Sequence, residues 1–82
     1  MATTKKMIRK WLERYEDSGA THLVIVCDSF SYEDYPVPVM PGDKLEEVEA
    51  EHSVNMQYVM EIYNFSMDME EQLNQEGRVF NR

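Results

Sequence analysis

The chain is poor in the residues that staple, kink or loosen a fold. Its 82 residues hold one cysteine, three prolines and three glycines. A single cysteine excludes an internal disulfide framework and fits a reducing compartment. Three glycines leave no room for a phosphate-cradling loop. No G-x-G-x-x-G, P-loop or nucleophile-elbow pattern occurs. No apolar run approaches the roughly 20 residues that span a bilayer. The N-terminus lacks the apolar core of a signal peptide. Positive charge is scarce as well: eight Lys+Arg stand against sixteen Asp+Glu, a net charge of −8. Direct nucleic-acid binding needs cationic contacts to phosphate, so it is disfavoured. These absences predict a cytoplasmic protein with no membrane segment and no cofactor.

What is present predicts a single domain over residues 1–82. A chain this short buries only about 60–65% of its unfolded surface, which makes its stability marginal without help. The 43% hydrophobic content argues against global disorder. The charge is unevenly placed. Residues 1–14 carry five Lys/Arg against one acid, a net +4, and residues 15–82 carry three against fifteen, a net −12. Either the basic segment complements the acidic body within the molecule, or the asymmetry serves a partner.

The hydrophobic pattern predicts the order helix, strand, strand, helix, an α+β fold. Met7, Ile8, Trp11, Leu12 and Tyr15 recur at helical spacing after a Thr3 or Thr4 cap, and Gly19 suits the helix end. His22–Cys27 reads as a strand apolar on both faces. Leu23, Ile25 and Cys27 point one way, and Val24, Val26 and Asp28 the other. Tyr35–Met40 alternates, and its two prolines confine it to a sheet edge. Asp43 and Glu46 have capping-box spacing for a short acidic helix ending near Glu51. The remainder reads as a last helix with two apolar stripes. One holds Met56, Val59, Met60, Tyr63 and Met67; the other holds Ile62, Phe65, Met69 and Leu73. A break near Asn64–Ser66, with Ser66 as a new cap, is the alternative. Gly77 ends the helix, and Val79–Phe80 forms a short tail that docks or frays.

A lone hairpin is marginal. With the proline strand at one edge, the first strand has one edge left to extend. Pairing with its copy across a twofold axis would give a four-stranded sheet, so a homodimer is expected. The competing arrangement is a monomer with helices on both sides of the sheet.

Few residues carry chemistry. Cys27 lies inside an apolar strand, where a thiol behaves as a small hydrophobe, so no catalytic residue is expected. His22, His52, Cys27 and Asp28 lack the close pair spacing of a metal site. Asp28, Tyr32, Glu33, Asp34 and Tyr35 cluster at one strand end. They are candidates for stacking on and hydrogen-bonding a nucleotide-like ligand, although turn carboxylates more often bond their own backbone. The denser feature is the acidic set Glu46, Glu47, Glu49 and Glu51 in one helix and Asp68, Glu70 and Glu71 in another. Carboxylates displayed on helices can imitate phosphates and occupy a basic surface, or simply keep the protein soluble.

Gly19-Ala20-Thr21-His22, Val26-Cys27-Asp28 and Glu33-Asp34-Tyr35-Pro36-Val37, continued by Asn55-Met56-Gln57 and Ser66-Met67-Asp68, resemble an uncharacterised family of small bacterial and phage proteins. The resemblance covers most of the chain and brings no functional residues with it. It implies a cytosolic, phage-borne setting, in which small acidic proteins often inhibit host defence. The expected function is therefore non-enzymatic binding to a protein partner with a basic surface, in a host nucleic-acid-handling or defence system. The alternative is binding or sequestering a small nucleotide-like ligand.

Overall fold

A computed structural model describes residues 3–82. The elements run α1 (Lys5–Glu16), β1 (His22–Asp28), β2 (Glu33–Val39), α2 (Leu45–Glu51), β3 (Gln57–Asn64) and α3 (Met69–Leu73). The fold is α+β. Its sheet is antiparallel with strand order β2-β1-β3.

The local chemistry of the first half follows the sequence pattern. Thr4 caps α1, its Oγ1 accepting the Met7 N–H at 3.2 Å. Gly19 adopts φ +87 just after the helix, a conformation that costs glycine little. β1 is buried along five successive residues, and β2, with Pro36 and Pro38, lies at the edge. In α2 the cap differs from expectation. Lys44 is the N-cap and makes no side-chain bond, while the Asp43 carboxylate accepts the Met40 N–H and closes the preceding turn.

The long last helix does not form. Residues 57–64 are a third strand, β3, and only Met69–Leu73 are helical beyond it. The reason lies in the ladder. The register between β1 and β3 shifts between Ile25 and Val26, so that Met60 is the extra residue of a bulge. Tyr58 and Val59 alternate, Met60 breaks the phase, and Glu61, Ile62 and Tyr63 resume it. An alternation with one slip, apolar on both faces, imitates helical spacing. The break expected at Asn64–Ser66 is real but separates a strand from a helix. The cap of α3 is Asp68, which accepts the Glu71 N–H at 3.1 Å, not Ser66.

β3 also removes the reason for a dimer built on β1. The strand has partners on both sides and no free edge, so a four-stranded sheet through β1 and its copy is not available. The outer edge of β3 is itself partly occupied. The tail docks there: the Ile62 N–H donates to the Val79 carbonyl at 2.7 Å, and the Asn81 N–H to the Ile62 carbonyl at 2.9 Å.

The sheet divides two cores. On one side Ile8 and Leu12 of α1, Leu73 of α3 and Val79 of the tail pack on Leu23, Ile25 and Tyr63. On the other, Leu45 and Val48 of α2 pack on Val24, Val26, Val39 and Ile62. Gln72 is fully buried and acts as a clip. Its Oε1 accepts the Asn64 N–H at 2.8 Å, and its Nε2 donates to the Asn64 carbonyl at 2.9 Å. The Asn81 side chain adds a third bond, so one side chain ties together the end of β3, α3 and the tail.

Candidate functional site

The two acidic helices lie on opposite faces of the sheet, so the carboxylates expected to act as one partner-binding set are divided. On the α1/α3 face one of the three, Glu70, is neutralised from within. Both oxygens of Glu70 meet the guanidinium of Arg9, which holds the Glu70 carboxyl below its usual range and raises Arg9. Asp68 is spent as the α3 cap, and Glu71 is exposed beside it. Lys5 reaches Glu61 at 3.5 Å and donates to the Tyr63 hydroxyl at 3.1 Å. The sequence reading missed Glu61 altogether. It is buried, and it accepts from Tyr63 Oη at 3.1 Å and from the Val79 N–H at 3.3 Å. Burial, then the charge and hydrogen bond of Glu61, push the Tyr63 hydroxyl far up. Lys5 and Arg9 of the basic first helix thus answer acids inside the molecule, while Lys6, Lys10 and Arg14 stay exposed outside the ion pairs.

The α2 face differs. Glu46, Glu47 and Glu51 are exposed, and none of the ion pairs formed among the described residues involves them. Glu49 is half-buried and pairs with Arg82 at 2.8 Å. Glu47 and Glu51, one turn apart, line a shallow groove of about 210 Å³ with Val37, Pro38, Lys44 and His52.

The strand-end cluster is split in the same way. Asp28 serves its own turn, its Oδ1 accepting the Phe30 N–H at 2.9 Å. Tyr35 points to the α2 side and bonds His52 Nδ1 at 3.2 Å and Gln57 Oε1 at 3.0 Å. Burial, then the Asp28 charge, raise its hydroxyl. Glu33 is exposed. Asp34 accepts from the Thr3 hydroxyl on the other side of the sheet. There, Tyr32 and Asp34 line a depression of about 300 Å³ with Cys27, Tyr58 and Arg78. The Tyr58 hydroxyl lies beside the Cys27 thiol, whose influence raises the tyrosine. The ring of tyrosines and carboxylates expected from the sequence therefore does not close. Tyr58 and Arg78 take the places of Tyr35 and Glu33. Tyr58 was legible only with β3 recognised as a strand, because it faces Cys27 across the ladder.

Among the described residues no group of three His, Cys, Asp or Glu side chains is placed to hold a metal ion. No helix among them is long and apolar enough to cross a membrane. No family model, curated protein or solved structure matches the chain.

Proposed function

We propose that the protein is a non-enzymatic acidic binding module that occupies a basic surface on a larger protein. The class of target is a nucleic-acid-handling or defence protein of a bacterial host, in the phage-borne setting that the resemblance implies. One observation carries the reading: Glu70 and Glu61 on the α1/α3 face are met by Arg9 and Lys5, whereas Glu46, Glu47 and Glu51 project together from the short helix α2, outside every ion pair formed among the described residues. A rigid helix face of unpaired carboxylates attracts Lys and Arg clusters and speeds encounter with them.

The test is affinity capture from bacterial lysate with the wild-type chain and with Glu46→Gln/Glu47→Gln/Glu51→Gln, read by mass spectrometry. Basic proteins are expected on the wild-type resin, released by raised salt and depleted on the variant. Equal recovery on both resins removes the α2 face from the account. A second reading, binding of a nucleotide-like ligand, is favoured by the depression that brings Tyr32, Tyr58 and Arg78 together. It predicts a thermal shift with a nucleotide panel that Arg78→Ala abolishes.

A further inference from the structure

The apolar side chains that stand furthest into water are gathered at one end of the sheet. Phe30 and Tyr32 lie in the β1–β2 loop, Val54 and Met56 in the loop entering β3, and Tyr58 at the start of β3. These five are 45–78% exposed, while the other exposed large hydrophobics, Met7, Met40, Met67 and Phe80, reach only 36–44%. The two loops are stitched together. The Ser29 N–H donates to the Met56 carbonyl at 2.8 Å, and the Ser29 hydroxyl donates to the same oxygen. The non-glycine residues with left-handed backbone among the described residues also sit here: Tyr32 (φ 59), Asn55 (φ 57) and Met56 (φ 67). Tyrosine and methionine rarely adopt that region, and such strain persists where surrounding structure enforces it, often at binding sites. The fold accepts strain to hold apolar groups in water, the reverse of what stability alone favours.

The rim of this end is acidic. Asp28, Glu33 and Asp34 come from the hairpin, and Glu51 closes α2 one residue before His52, which contacts Tyr35. Arg78 is the cation beside Tyr32 and Tyr58. An apolar centre inside a charged rim is the anatomy of a protein interface. The sign of the rim selects the occupant. A second copy meeting through the same end, a nucleic acid or an anionic bilayer would bring negative charge against negative charge.

We propose that this loop end is the contact centre for a basic protein partner, its apolar tips entering a hydrophobic pocket whose Lys/Arg rim meets the surrounding carboxylates. The inference rests on the basic-partner reading above and adds the place and the apolar component. The probes are two synthetic peptides of equal positive charge, one alternating Leu with Lys and one alternating Ser with Lys. A Leu/Glu peptide and vesicles of anionic lipid serve as controls. Each is titrated into the isotopically labelled full chain and followed by amide chemical shifts. The variant is Phe30→Ser/Met56→Asn, in which asparagine tolerates the left-handed backbone that methionine strains to reach.

The Leu/Lys peptide is expected to bind about tenfold more tightly than Ser/Lys, as burial of apolar anchors implies. Its shifts should centre on residues 29–34 and 53–58, and the variant should lose the advantage while keeping a native amide spectrum. Equal affinity for both basic peptides, with shifts confined to α2, overturns this inference and leaves the basic-partner reading standing. Failure of both basic peptides to bind overturns both. Binding of the Leu/Glu peptide or the vesicles, or self-association that shifts the same loops, overturns the choice of occupant.

Discussion

The two faces of the sheet solve the same burial problem with different electrostatics. On the α1/α3 side, cations and acids meet at short range: Arg9 with Glu70, and Lys5 with Glu61 and Tyr63. On the α2 side, two apolar residues of the helix seal a valine-rich core, and the outward carboxylates are left to solvent. The difference teaches that net charge is a poor guide to where a partner binds. Of the charge asymmetry in the sequence, two of the five cations in residues 1–14, Lys5 and Arg9, are used inside the molecule. Negative charge outside these ion pairs is carried by Glu46, Glu47 and Glu51 on α2 and Glu33 at the sheet end, and on the other side by Glu13 and Glu16 on α1 and Glu71 on α3.

If the faces are equally well-packed layers, they should fail alike under cavity mutations. Ile25 faces α1 and Ile62 faces α2, and both are fully buried. Ile25→Ala and Ile62→Ala should each cost about 3–4 kcal/mol in urea denaturation. A much smaller loss for Ile62→Ala would show that α2 is a loose cover. Next in size is Gln72→Leu, which strands the N–H and carbonyl of Asn64. A loss of about 2–3 kcal/mol is expected, with accelerated hydrogen exchange in the tail.

Acid should act through the α2 side of the sheet. His22 lies on that face, and burial lowers its pKa from 6.5. Its Nε2 is buried without a partner. The folded state therefore favours the neutral ring, while the unfolded chain takes up a proton below about pH 6.5. Stability should fall as pH drops through that value and level off below the folded pKa. His22→Gln should flatten the urea midpoint between pH 7.5 and 5.5. The smallest effect has the opposite sign. Met56→Gly relieves a left-handed methionine and should stabilise the chain by up to about 1 kcal/mol, while removing an apolar contact from the loop end.

The sequence was readable where one periodicity ran unbroken. The α1 stripe, the doubly apolar β1 and the proline-marked edge strand β2 all stand where the pattern put them. β3 was illegible because the bulge at Met60 slips the alternation by one residue, and its Gln57, Met60 and Glu61 are good helix formers. Losing β3 lost the sheet centre, and with it the reason β1 needs no second copy. It also hid Glu61, which read as one more solvent acid, and Tyr58, which faces Cys27 only across a strand ladder. The acidic residues were found individually. Their division between two faces could not be seen, because it depends on which side of the sheet each helix returns to.

The central claim is that outward binding belongs to α2 and the adjoining loop end, and inward pairing to Arg9 with Glu70 and Lys5 with Glu61 on the α1/α3 side. Its most direct test is calorimetric titration of the Ser/Lys peptide, which reads charge alone, into two charge-matched variants, Glu46→Gln/Glu47→Gln/Glu51→Gln and Glu70→Gln/Glu71→Gln/Glu76→Gln. The account predicts that affinity falls about tenfold for the α2 variant and less than about twofold for the α3 variant. Equal losses, or a larger loss on α3, would contradict it.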